Sequence, residues 1–246
     1  MGTSKSFSSI NHSMIPNWGS LSSEMTSNCD SSTVSNDNLR EILRNYVSAL
    51  GGASQAGRGG SKIGGKSSIR IAKKIGIVFS IFANSGYDIR KTLNAIGLTD
   101  LETKSVGDII NHLIEYCSGV ASTIDDNAAK EASRLLFEDL IADAKDIDDV
   151  EFLLSQNFKT DSLEEIIIKY FGIYINELLS KWFYEKLIMN KKERDCANLF
   201  RQIKDFIFET VSSLQKSNPL QNIDWSSDHA DRLIKNIQQD VLTVFE

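Results

Sequence analysis

DSLEEIIIKYFGIYINELLSKWFYEKLIM, residues Asp161 to Met189, decides the fold class. The stretch is proline-free, opens on Asp161 or Ser162 as a cap, and places apolar groups on nearly every helical face. It is far longer than a strand and shows no period-two alternation. A helix that is apolar all round is buried on all sides, so this one predicts the centre of a helical domain.

The flanking sequence supplies helices to surround it. On the C-terminal side, Lys192 to Leu214 is amphipathic through Leu199, Ile203, Phe206, Ile207 and Val211. Pro219 closes that unit, and DWSSDHADRLIKNIQQDVLTVFE (224–246) carries Leu233, Ile234, Ile237, Val241 and Phe245 at helical spacing. On the N-terminal side, Ile147 to Leu154 is a short element, and Asp125 to Ala144 turns Leu135, Leu136, Leu140 and Ile141 inward. SVGDIINHLIEYCSG runs from a Ser105 cap to Gly119, and Tyr87 to Ile96 stops at Gly97. IRIAKKIGIVFSIFANSG and NDNLREILRNYVSAL complete the set, the latter capped by Asn36 or Asp37 with Leu39, Leu43, Tyr46, Val47 and Leu50 in one stripe. The expectation is all-α: a single helical-bundle-like domain behind a disordered arm. Residues 1–36 form the arm. Residues 37–218 form the body, with a glycine-rich basic loop at 51–68, and 219–246 form a helix packed on it.

Twelve of the first thirty-six residues are serine, which leaves little apolar surface to offset the entropy of ordering them. The net charge of −6 is unevenly laid out. Residues 37–90 carry nine basic and three acidic groups, whereas 91–246 carry seventeen and twenty-eight. A basic neck on an acidic body gives a nucleic-acid partner little general support. Cys29, Cys117 and Cys196 form no CxxC pair, which suits a reducing compartment and argues against a zinc site. The longest apolar run, Ile75 to Ala83, is too short to span a bilayer, and the N-terminus lacks a secretory h-region. The expected setting is the cytoplasm, without membrane association.

GSKIGGKS, Gly60 to Ser67, matches the phosphate-binding pattern GxxxxGK[ST]. In a true P-loop the backbone amides cradle phosphate, Lys66 reaches the outer phosphates and Ser67 binds magnesium. That geometry needs a strand feeding the loop. Here a helix and then Gly, Ser and Ala precede it, and the nearest acidic candidate, RLLFED (Arg134 to Asp139), lies on an amphipathic helix. Nucleotide hydrolysis is therefore not expected. A flexible linker and an anion-binding neck remain open, the latter because seven basic residues and no acid lie between Ile42 and Tyr87. Arg58, Lys62, Lys66 and Arg70 are its candidate residues, beside a helix start whose amides also favour anions. Other constellations fail. His112 and Cys117 share a helix but point to different faces, and Asp125/Asp126 and Asp148/Asp149 fall at helix starts, where they favour the macrodipole. No catalytic residue, bound cofactor or metal is expected.

The tip MGTSKS fits the N-myristoylation pattern, which would make Gly2 a lipid acceptor. Met removal would in any case expose the Gly2 α-amine, whose pKa near 8 leaves a usable neutral fraction.

MGTSKS, the MIPNW knot (Met14 to Trp18), a following helix, the glycine-rich basic segment and an all-helical body together resemble the QatB family, the helical component of the Qat anti-phage system. Asn17 between Pro16 and Trp18 departs from the family's hydrophobic–Pro–Trp knot. The resemblance implies a neighbouring QueC-like enzyme, a KAP-like ATPase and a TatD-like nuclease as partners. QueC-type enzymes use ATP to adenylate the carboxylate of a 7-deazaguanine and present it to an amine. The implied role is that of a non-catalytic component modified at Gly2 by an amide-linked 7-deazaguanine. Thr3, Ser4, Lys5 and Ser6 would follow Gly2 into the partner's cleft, with Ile15, Pro16 and Trp18 as anchors. The competing reading is an adaptor that binds nucleic acid or phosphate through the basic neck.

Overall fold

A computed structural model describes residues 18–160, 162–214, 220 and 223–246, with the side chains of residues 18, 159 and 160 left aside. Among the described residues the regular structure is helical throughout, with no strand. No helix among them is long and apolar enough to cross a membrane.

The central helix is α9, Leu163–Ile188. Ser162 caps it, accepting from the Glu165 amide while the Glu165 carboxylate accepts from the Ser162 amide, a capping box written in the sequence as S-x-x-E. Residues on every face, among them Ile167, Tyr170, Phe171, Tyr174, Leu178 and Trp182, are buried. Among the helices that lie against it are α1 (Trp18–Asn28), α4 (Lys66–Asn84), α7 (Ile124–Leu140), α10 (Glu193–Ser212) and α11 (Asp228–Thr243). The remaining helices are α2 (Asn36–Ala49), α3 (Ala53–Gly57), α5 (Ile89–Ala95), α6 (Val106–Ser118) and α8 (Ile147–Thr160), with a 3-10 turn at Leu101–Thr103. The sequence-predicted stripes face inward. Leu39, Leu43, Tyr46, Val47 and Leu50 are buried on α2, and Leu199, Ile203, Phe206, Ile207 and Val211 on α10.

Three boundaries differ from expectation. The arm assigned to 1–36 is too long, because α1 is a packed helix. Leu21, Met25 and Cys29 recur every fourth residue and are 0 % exposed; α1 packs on α2 and α9, and Cys29 Sγ lies 3.0 Å from Cys196 Sγ of α10. Three apolar side chains suffice because they fall on one face. Second, α2 is capped by Ser35, not by Asn36 or Asp37. Third, α8 continues past Leu154, and Phe158 stacks on Phe79 at 5.8 Å between ring centroids.

The residues just ahead of α11 meet the middle of α4 closely. The indole of Trp225 lies over Gly76, so near that a β-carbon there would meet it at 2.2 Å. Trp225 is 6 % exposed and joins the residues just ahead of α11 to the middle of α4.

Candidate functional site: a self-capped glycine turn beside a cationic groove

The segment 51–68 is built, not loose. Gly51 and Gly52 leave α2 with φ of 94° and 90°, a region side chains rarely adopt, and α3 follows at once. The far end of the chain fastens α3. The Glu246 carboxylate accepts from the Ala53 amide (2.6 Å), and Gln238 Nε2 on α11 donates to the Ala56 (3.1 Å) and Gly65 (3.2 Å) carbonyls. Ser68 Oγ closes the set by donating to Gln238 Oε1 (2.9 Å). The flexible-linker reading of this segment gives way to a folded turn held by long-range bonds.

Gly65, at φ 94°, aims the backbone into α4. Its amide donates to Tyr174 Oη (2.6 Å) and to Asp125 Oδ1 (3.2 Å), and the Ser67 amide donates to Asp125 Oδ2 (2.9 Å). Tyr174 in turn donates its hydroxyl proton to Asp125. The amides that would cradle a phosphate therefore hold a carboxylate of the same chain. Ser67, which would carry a magnesium ion in a P-loop, donates its hydroxyl to Asp126 Oδ1 (2.8 Å). Lys66 points outward and has no acidic partner among the described residues. The helix-start anion position proposed for the neck is thus filled internally, since Asp125 offers two acceptors where two amides and a helix dipole converge.

Asp126 serves two helix starts. It accepts from the Thr123 amide (3.1 Å) and hydroxyl (2.9 Å) at the start of α7, from Ser67 on α4, and from Arg70 Nη2 (3.4 Å). Burial opposes its ionisation, but hydrogen bonds from Ser67, Thr123 and Ser122 outweigh that and hold its carboxyl well below the usual carboxylate range. Arg70 also donates to the Ser118 carbonyl (2.8 Å), tying α4 to the end of α6. The Asp125/Asp126 pair, read from sequence as serving its own helix, joins α7 to the start of α4, through bonds from Ser67 that span 58 and 59 positions of the chain.

Beyond Lys66 and Arg70 lies a groove of about 560 Å³ between α4 and α11. Arg58, Lys66, Arg70, Lys73, Lys74 and Lys235 line it, with Asp231 as the acid among its lining residues. Of the sequence-predicted cations, Arg58, Lys66 and Arg70 fall here. Lys62 lines a neighbouring depression of about 600 Å³, which shares Lys66 and Arg70 and also holds Asp125, Asp126 and Trp182. The sequence reading missed Lys235 and Trp225, which lie more than 130 positions from the neck and reach it only through the packing of α11 and the residues just ahead of it. His112, set aside as a catalytic group, bonds through Nε2 to the Ile96 carbonyl (3.0 Å). Gly2, Thr3, Ser4, Lys5, Ser6, Ile15 and Pro16 lie outside the described residues, as does the side chain of Trp18.

A family model for the Qat anti-phage system associated protein QatB matches residues 51–245. No curated protein and no solved structure matches the chain. The matched span runs from the glycine turn after α2 to the end of α11 and includes the self-capped turn, the central helix and the cationic groove. With well over half of its length matched in this way, the chain belongs to the QatB family and is a component of the Qat anti-phage system.

Proposed function

We propose that this component is non-catalytic, and that a QueC-like partner binds its N-terminal arm and modifies the Gly2 amine. The observation that carries the proposal is where the packed body begins. Leu21 and Met25 are buried on α1, which packs on α2 and α9, and Cys29 just after it meets Cys196 of α10, so the packed body begins at α1. The seventeen residues ahead of Trp18 would span at most about 60 Å if extended, enough to enter a partner's cleft. Family membership and the MGTSKS tip support the same reading.

The chemistry balances as follows. In the partner, ATP and a 7-deazaguanine carboxylate give an acyl-adenylate and pyrophosphate. After Met removal, the neutral Gly2 amine attacks the acyl carbon, a C–N bond forms, AMP leaves and the amine sheds one proton. A glycine amine, near pKa 8 and unhindered by a side chain, suits this attack. Thr3 and Ser4 are small enough to follow it into a narrow cleft, and Ile15 and Trp18 supply apolar anchors. The non-catalytic part draws support from the turn at Gly60–Ser67, whose amide donors hold Asp125 and Tyr174.

Two substitutions test the proposal through different steps. Gly2→Leu obstructs Met removal and crowds the attack, so the N-terminal peptide should stay unmodified at every partner concentration. Trp18→Ala weakens capture alone, so modification should return as the partner is raised. Full modification of Gly2→Leu would overturn the assignment of the amine.

A further inference from the structure

We propose that the groove between α4 and α11 binds the phosphodiester backbone of a single nucleic-acid strand, independently of what happens to the arm. Lys66, Arg70, Lys73 and Lys74 recur at helical spacing along one side of α4. At 1.5 Å per residue the stripe runs about 12 Å, room for roughly three phosphates of one unpaired strand. Arg58 from the turn after α3 and Lys235 from α11 close the groove at its sides.

The cations are not equally free. Lys73 is bonded to Asp231 (2.6 Å), Arg70 to Asp126 (3.4 Å), and Lys74 lies 4.7 Å over the Tyr116 ring. These three are held in place by the fold. Arg58, Lys66 and Lys235 have no acidic partner among the described residues, in a chain whose formal charge is −6. Leaving three cations unpaired beside three fixed ones, in a molecule of net negative charge, creates a local positive potential in the groove.

Two features favour phosphate over the carboxylates of an acidic peptide. Six cations against one acid in a single groove match a polyanion that carries a charge on every repeat, as a phosphodiester backbone does. The groove wall is also apolar, through Ile69, Ile77 and Trp225, and the Trp225 indole N–H is buried with no acceptor among the described residues. Trp225 is too covered for a base to stack fully on it, so contact falls on the backbone and carries no sequence preference. The cations on α4 follow a single line, as the phosphates of one strand do.

The test uses the full chain and a fluorescent single-stranded oligonucleotide of mixed sequence, with anisotropy read across a salt series. The variant carries Arg58→Glu, Lys66→Glu and Lys235→Glu. A control with the same net charge carries Lys104→Glu, Lys145→Glu and Lys192→Glu, all exposed and outside the groove. The groove variant should lose at least tenfold in affinity at low salt, and its salt slope should fall by about 2, from about 0.7 per phosphate contact. The control should stay within twofold of wild type, with both variants showing the wild-type unfolding midpoint. Absence of binding by wild type, equal losses in groove and control variants, tighter binding of a duplex, or equal competition by poly-glutamate would each overturn the proposal.

Discussion

Replacing Asp125 with Ala removes one carboxylate from four groups at once. The Gly65 and Ser67 amides and the Tyr174 hydroxyl lose their shared acceptor, and the start of α4 loses its negative cap. The Gly65 amide keeps a bond to Tyr174 Oη at 2.6 Å, so two donors are stranded, not three. Tyr174 is 2 % exposed and cannot turn to water without breaking its packing against the core. Each stranded donor costs about 1–3 kcal/mol, and the half-exposed position of Asp125 pulls the total down, giving about 2–4 kcal/mol. For a chain of this size that is a fall of roughly 5–15 °C in the unfolding midpoint. Asp125→Asn keeps an acceptor and should cost about half as much, and Tyr174→Phe should be coupled to Asp125→Ala by more than about 1 kcal/mol in a double-mutant cycle. Urea unfolding followed by far-UV circular dichroism gives all four values. A loss below about 0.5 kcal/mol for Asp125→Ala, the size of an ordinary surface change, would refute the self-capped turn.

Three further outcomes follow from the same packing. Asp126 titrates below its unfolded value, so the stability it contributes is present above about pH 4 and is lost as pH falls through its lower folded value. Asp126→Asn should therefore be less stable than wild type at pH 6 and converge with it in strong acid, and a constant difference between pH 6 and pH 2 would contradict this. Gly76→Ala places a β-carbon 2.2 Å from the Trp225 ring, so the indole must move, at a cost of about 1–3 kcal/mol with a shift in tryptophan emission; an unchanged spectrum and midpoint would show that the contact is not tight. Cys29, Cys117 and Cys196 are buried, and burial pushes Cys117 up to about 12. The native protein should resist a thiol reagent at pH 8 and yield three thiols only in denaturant.

What could be read from the sequence was local. The all-round apolarity of Leu163 to Ile188 and the S-x-x-E cap at Ser162 specify a central helix without reference to anything distant. Ser105 with Asp108 at the start of α6, and Gly119 at its end, are equally local. α1 was hidden because serine dominates its composition while its burial depends on three residues in register. α3 could not be read, since five residues within a glycine-rich run become helical only when Glu246 and Gln238 arrive from the other end of the chain. The site was hidden for the same reason. The GxxxxGKS pattern names the donors, but nothing near it says that Asp125 fills them. Lys235 joins Lys66 in one groove only because α11 packs on α3 and α4.

The proposed role of the arm rests most directly on the mass of the N-terminal peptide from wild-type protein co-produced with its QueC-like partner and a deazaguanine supply. The account predicts loss of Met1 and gain of one 7-deazaguanine acyl group on Gly2. Loss of Met1 alone, or a myristoyl group in place of the deazaguanine, would contradict it.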